Sequence, residues 1–297
     1  MTEAHTQTTP RILIVAGSDS SGGAGIQADI KTCAAFGVYS TTAITAITAQ
    51  NTHGVQKIEA MSADMVAAQM RSVLSDIGAD VIKIGMLANA EIIEAVASVI
   101  LEQDEAITVV LDPVLASTSG DALLDASAID VMKDKLLPLA DLITPNSIEA
   151  EILTGIKVED VDGMMKAGEA LLEMGAYGAL MKGGHVKGKS IIDVLVTPEG
   201  NQLMSAPRIY SRHTHGTGCT LASAVAAMLA QGAPIEQAVQ EGREFVFEAI
   251  RTAPKLGGGN GPLNHGLGQG SGDQGSNNTL QDEGKPNPFA VLKDLQT

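Results

Sequence analysis

The chain alternates between short apolar runs and longer stretches where apolar residues recur every three or four positions. Arg11–Ala16 (RILIVA) and Thr42–Ala49 (TAITAITA) read as strands, the first apolar enough to be buried on both faces. Between them, Ile26–Phe36 reads as a helix with Ile26, Ile30 and Cys33 on one side. Met65–Ile77 is amphipathic, carrying Val66, Met70, Val73, Leu74 and Ile77 at helical spacing. Val81–Ile84, Ile107–Leu111, Leu142–Thr144 and Ala179–Lys182 are further strand candidates, and a helix over Met164–Met174 closes at Gly175. This order predicts an α/β domain of three layers, α/β/α, with a mainly parallel central sheet and right-handed helical crossovers.

Ligands in such sheets gather outside the carboxyl ends of the strands. Gly17-Ser18-Asp19, Gly85-Met86, Asp112-Pro113 and Thr144-Pro145-Asn146 each follow a strand candidate, so chain order points them at one rim. The most informative segment is His215-Gly216-Thr217-Gly218-Cys219-Thr220, which runs into a helix of small residues opened by Cys219 or Thr220. A helix start exposes unpaired amides and the positive end of the dipole, a ready cradle for phosphate. Cys219 lies in that first turn, where the same field favours a thiolate.

Composition narrows the partners. A net charge of −16, from 35 acidic and 19 basic residues, excludes a duplex nucleic acid, which needs a basic face. An acidic protein that handles phosphates must rely on amides, a few placed lysines and a metal ion. Aromatic residues are only 2% with no Trp, so aliphatic side chains fill the core. Residues 1–10 are polar, no run approaches a membrane span, and Cys33 and Cys219 are the only cysteines, so cytoplasmic residence is expected. Residues 266–297 form a Gly/Ser/Asn-rich tail with little to offset ordering entropy, and Phe289–Leu295 within it reads as a frayed terminus.

Two familiar patterns fail on context. Gly183–Ser190 spells a phosphate-binding loop, but Ile191–Val196 behind it is a strand pattern, so the segment reads as a hairpin turn. Gly23-Ala24-Gly25 fits the dinucleotide fingerprint, yet no acidic residue occurs between Asp29 and Glu59 to hold a ribose. Other polar positions stay open between local and functional roles. Asp29 either caps a helix or meets a substrate hydroxyl or amine. Gln50 and Asn51 carry amides suited to a heteroaromatic ring with adjacent N and NH2 groups, or else form a polar turn. Asn146 and Glu149 have capping-box spacing, and their oxygens also suit the water around a magnesium ion. Asp112 is placed to assist a metal or a transferred phosphate. Lys182 is placed to reach a ligand. His213 and His215 lack a third ligand at metal-like spacing, and Ser18, Ser20 and Ser21 lack a His–Asp arrangement, so zinc and serine hydrolases are excluded.

Eight collinear motifs then carry a resemblance. AGSDSSGGAGIQADIKT (Ala16–Thr32), AITAQNTHGV (Ala46–Val55), KIGML (Lys83–Leu87), LDPV (Leu111–Val114), LITPNSIEAEILTG (Leu142–Gly155), MKGGH (Met181–His185), HTHGTGCTLASA (His213–Ala224) and GPLNH (Gly261–His265) appear in order. Together they closely resemble the bacterial hydroxymethylpyrimidine/phosphomethylpyrimidine kinases of thiamine biosynthesis. The resemblance implies a ribokinase-like kinase domain over residues 11–265, ATP and Mg²⁺, a homodimer, and no nucleic-acid or membrane partner. It implies two phosphorylations, of 4-amino-5-hydroxymethyl-2-methylpyrimidine and then of its monophosphate. By the same resemblance Gln50 and Asp29 bind the pyrimidine, with Gly17, Met86 and Val114 lining its pocket. Gly216 and Gly218 form an anion hole, with Thr217 in the same turn. Lys182, Asn146 and Glu149 serve the phosphates and magnesium. Cys219 stands where many ribokinase-like enzymes carry an Asp base. Some relatives carry Glu in place of Gln50, which would hold a protonated ring ionically where Gln cannot. The alternatives are a pyridoxal/pyridoxine kinase and a non-catalytic pyrimidine- or nucleotide-binding protein. The Cys of GTGC and the filled catalytic positions argue against them in turn.

Overall fold

The computed structural model describes residues 9–115, 124, 126–185 and 188–267. The tail, the first eight residues and residues 186–187 of the Gly183–Ser190 segment lie outside them, and with them the expectations for 268–297. A nine-stranded sheet forms the middle layer. Its parallel part runs β2 (Tyr39–Asn51), β1 (Arg11–Asp19), β4 (Val81–Ile84), β5 (Thr108–Leu111), β6 (Leu142–Ile143) and β7 (Ala179–Met181). Antiparallel strands flank it: β3 (Gly54–Ala60) pairs with β2, while β8 (Ser190–Thr197) and β9 (Gly200–Pro207) extend the sheet beyond β7.

Strand alternation builds both outer layers. Ile12, Ile14 and Ala16 of β1 pack toward α1 (Gly25–Ala35) and α7 (Thr217–Ala230), and α8 (Ile235–Arg251) covers the sheet beside them. Leu13 and Val15 point the other way, into the larger cluster under α2 (Ala63–Leu74), α3 (Ala90–Leu101), α4 (Ala126–Val131), α5 (Ser147–Thr154) and α6 (Val161–Glu173). Because β1 is covered on both faces, it reads as an unbroken apolar run. The alanines 222, 224, 226 and 227 of α7 are fully buried, and their size lets that helix lie close to the sheet. Among the described residues no helix is long and apolar enough to cross a membrane.

The three-layer α/β/α expectation holds, with instructive local differences. In α1 the buried positions are Ile26, Ala28, Asp29, Thr32 and Cys33, whereas Ile30 is 39% exposed. The buried stripe runs along a polar edge that apolar periodicity does not see. Helix α7 begins at Thr217, two residues before the expected start, because Gly216 in the left-handed region already turns the chain into the helix. The Gly183–Ser190 segment leads into β8, antiparallel to β7, with no helix behind it to complete a phosphate loop.

Candidate active site

The carboxyl ends of the parallel strands and the starts of α5 and α7 surround one cavity of about 640 Å³. Its phosphate-sized end lies at the first turn of α7. Gly216 adopts φ +83°, and a Cβ there would run into the Gly23 carbonyl, so the two glycine loops press together backbone to backbone. Thr217 N–H is taken by the Thr214 carbonyl at 3.2 Å, and Thr220 N–H donates to the Gly216 carbonyl at 2.9 Å. The amides of Gly218 and Cys219 between them have no acceptor within the helix and open toward the cavity. A Cβ on Gly218 would sit 3.1 Å from Lys182 Nζ and 3.5 Å from Asp112 Oδ2. The cradle therefore faces a lysine and a carboxylate at close range.

Lys182 follows β7 and donates to Asp112 Oδ1 at 2.9 Å, while Thr144 Oγ1 donates to the same oxygen at 3.0 Å. Glu149 Oε2 lies 3.9 Å from Lys182 Nζ and accepts the Asn146 amide at 2.8 Å. Asn146 Oδ1 in turn accepts the amides of Ile148 and Glu149, completing a capping box on α5. Burial works to raise the Asp112 carboxyl, but Lys182, Lys83 and the hydrogen bonds outweigh it and hold it below the ordinary range. Glu149 is less well served. Burial pushes it up to about 7, with Asp112 adding to the rise against the pull of Lys182. The oxygens of Asp112, Glu149 and Asn146 are hard donors of the kind that suit a hydrated magnesium ion. Among the described residues no group of three or more His, Cys, Asp or Glu side chains is arranged to hold a metal by itself.

The ring-sized end is lined by Gly17, Gln50, Met86 and Val114. A Cβ on Gly17 would stand 2.8 Å from the Met86 methyl, so a glycine keeps this wall open. Asp19 anchors the first loop. It accepts amides from Ser21, Gly23 and Ala24, the Ser21 hydroxyl, and His215 Nε2 at 2.8 Å. Burial would raise its carboxyl, yet those donors keep it below the usual value. His215 Nε2 thus carries a proton, and the Gln50 amide end lies 3.4 Å from it and 3.2 Å from Thr48 Oγ1. Thr48 gives its own proton to the Ser18 carbonyl at 2.9 Å. Gln50 Oε1 faces the Thr48 hydroxyl and Nε2 faces His215, so the amide is held between the two before a ring arrives.

Asp29 departs from the expectation. It is fully buried at the fifth position of α1, so it neither caps the helix nor lines the cavity. Its two oxygens accept from Lys83 Nζ at 3.0 and 2.9 Å, and Ser223 Oγ donates at 2.7 Å. Cys219 departs as well. It lines the cavity, but burial overrides the helix field and pushes the thiol up to about 11. Lys83 and the Gly25 amide, which hydrogen-bonds the sulfur, pull the other way.

Sequence reasoning missed three features. Lys83 sits inside the fully buried strand VIKI, and a lysine in such a run was itself the available signal. The Asp19–His215 pair joins residues almost two hundred positions apart. An apolar slot beyond the phosphate end is formed by Ile191, Ala206, Pro207, Val246 and Ile250, drawn from β8, β9 and α8 with no contiguous motif.

The segment Gly261–His265 closes over α7. Pro262 bridges His215, and Thr220 Oγ1 lies 2.9 Å from His265 Nε2. Burial first, then the charges of Lys31 and His215, push the His265 imidazole down to about 4. The folded protein therefore releases this proton more readily than the unfolded chain, whose value is near 6.5. Its contribution is complete above pH 6.5 and is lost as pH falls toward 4, by roughly 2–3 kcal/mol. Denaturant titrations of wild type and His265→Asn across that window should diverge in this sense, and parallel curves would contradict it.

A family model described as phosphomethylpyrimidine kinase matches residues 19–264. The chain is 47% identical over 259 residues to the hydroxymethylpyrimidine/phosphomethylpyrimidine kinase of Streptomyces coelicolor, covering 87% of this chain and 95% of that one. Phosphomethylpyrimidine kinase from Clostridium difficile 630 superposes with a TM-score of 0.72 at 42% identity, covering 82% of this chain and 100% of that one. The pyridoxal kinase from Staphylococcus aureus, solved with AMP-PCP and pyridoxal, superposes with a TM-score of 0.80 at 31% identity, covering 88% and 94%.

Proposed function

The chain belongs to the phosphomethylpyrimidine kinase family, and from that premise we propose its reaction and the roles of its residues. It transfers the γ-phosphoryl group of ATP to 4-amino-5-hydroxymethyl-2-methylpyrimidine and then to the monophosphate, giving the diphosphate for thiamine biosynthesis. One observation carries the site assignment. The first turn of α7, Lys182 and Asp112 converge in a cavity that Gln50 also lines.

Phosphoryl transfer needs positioning and charge neutralisation more than covalent chemistry. Gln50 grips the ring edge, with Gly17, Met86 and Val114 beside it. Gly216, Thr217, Gly218 and Cys219 direct their turn at the γ-phosphoryl group, and Lys182 offsets its charge. The base of the nucleotide enters the apolar slot between β8, β9 and α8. Glu149 and Asp112, with Asn146, would hold Mg²⁺, which would neutralise phosphate charge. In the first transfer the substrate oxygen bonds to the γ-phosphorus, the bond to ADP breaks, and the hydroxyl proton passes to Cys219 Sγ. The thiolate that accepts it is a minor form near neutral pH, so this step should quicken as pH rises. The second nucleophile is already a phosphate and has no such proton to lose. We infer from the resemblance that the domain spans residues 11–265 and works as a cytoplasmic homodimer.

Cys219→Ala is accordingly expected to lower kcat for the first phosphorylation about a hundredfold, with a much smaller effect on the second. Equal losses in both steps would remove the proton-acceptor role. The function itself is tested with MgATP and hydroxymethylpyrimidine, with pyridoxal in parallel, reading products by mass. Mono- and diphosphate of the pyrimidine are expected. Phosphorylation of pyridoxal alone would transfer the assignment to the second reading, which the superposition on a pyridoxal complex favours.

A further inference from the structure

Beneath the cavity floor lies an ion pair that the reaction above does not use. Lys83 and Asp29 are both fully buried, with the ammonium on both carboxylate oxygens and Ser223 Oγ completing the cluster. Each partner leads back to Cys219. Ser223 lies one helical turn beyond Cys219 on α7, and Asp29 lies one turn beyond Gly25 on α1, whose amide bonds the Cys219 sulfur. Lys83 borders the cavity itself, and a Cβ at Gly85 would stand 3.1 Å from its Nζ.

We propose that Lys83 is a positioning residue of the first phosphoryl transfer, its ammonium held by Asp29 on the Cys219 side of the cavity so as to favour the thiolate that takes the substrate proton. The inference rests on the kinase reading above and adds to it a source for the sulfur's reactivity. The charges that face Cys219 are Lys83 from β4, Asp29 from α1, Asp112 after β5 and Lys182 after β7. Lys83 is the largest of the influences that favour the thiolate, and Asp29 opposes it. The pair is thus a charge on a tether. Ser223 and Asp29 fix where the ammonium sits, and the ammonium acts on the sulfur.

The test is the pH profile of Cys219 alkylation by iodoacetamide, read by mass on the full chain. Cys33 is fully buried, and Cys219→Ala supplies the unlabelled control. Lys83→Met should move the profile upward by about one pH unit, a tenfold slower reaction at fixed pH. Asp29→Asn, close in shape, leaves the ammonium less opposed and should move the profile downward. A merely structural role would disturb both variants in the same direction. Opposite shifts support the proposal; an unmoved profile in either folded variant, or shifts of the same sign, overturns it. Where Lys83→Met does not fold, the sign of the Asp29→Asn shift decides alone. In the kinase assay Lys83→Met should lower kcat of the first phosphorylation about tenfold and leave KM for ATP unchanged. Because alkylation needs no turnover, it stands even if the pyrimidine proves not to be the substrate.

Discussion

Lys182→Met is expected to lower kcat for both phosphorylations about a thousandfold, comparable to removing a cation from the transferring phosphoryl group in other kinases and NTPases. The side chain stands 2.9 Å from Asp112 and beside Gly218, so in the proposed reaction its charge would lie where the γ-phosphoryl group meets the α7 amides. Loss of the ammonium has a second effect. Asp112 and Glu149 would face each other with less compensation, and both carboxyls should rise. Removing one partner of a buried pair costs about 3–5 kcal/mol, so the variant needs a thermal melt beside its kinetics. The signature that would separate Lys182 from Cys219 is symmetry: in the proposed reaction each step moves a γ-phosphoryl group past the same lysine. A folded Lys182→Met protein that kept activity within tenfold of wild type would remove this residue from the transfer.

Gly216→Ala should be nearly as damaging, by a different route. An alanine at φ +83° carries a backbone cost of about 1–2 kcal/mol before any contact is considered. Its methyl would also meet the Gly23 carbonyl, so the two glycine loops must part. Moving the first turn of α7 withdraws the Gly218 and Cys219 amides from the phosphate. Loss of a single preorganised amide costs about a hundredfold or more in other enzymes. The expected result is a melting temperature lower by several degrees, of order 2–4 °C per kcal/mol for a domain this size, and a kcat lower by about a hundredfold or more. Turnover near wild type would mean that the cradle tolerates displacement and contributes little.

Much of the fold was open to reading because burial on both faces leaves a local mark. Val81–Ile84 was delimited as a strand by its own apolarity, and the parallel core follows from such runs separated by helices. The strands that escaped, β3 and β9, are edge strands whose pairing supplies what their side chains do not: five of seven β3 residues are exposed. The rim of the site was legible for a related reason. Met86, Asp112, Asn146 and Lys182 each follow a strand and Gly17 lies near the carboxyl end of β1, so chain order alone gathers them. Asp29 was different. A carboxylate near a glycine loop looks the same whether it faces solvent, substrate or a lysine, and Lys83 is 54 positions away on another element. Cys219 fell between the two, because its helix position was readable and the degree of burial that sets its proton affinity was not.

The contact between Gly23 and Gly216 also orders events in time. Gly17, Gln50, Met86 and Val114 of the ring side belong to the first half of the chain, while His215 beside Gln50 and the α7 cradle dock across nearly two hundred intervening residues. Contacts of such separation close late, since a long stretch of backbone must lose its freedom before they return anything. A chain that has not yet reached α7 lacks both the His215 neighbour of Gln50 and the first-turn amides. The proposed nucleotide seat is complete only once the last third of the chain has folded back onto the first thirty residues.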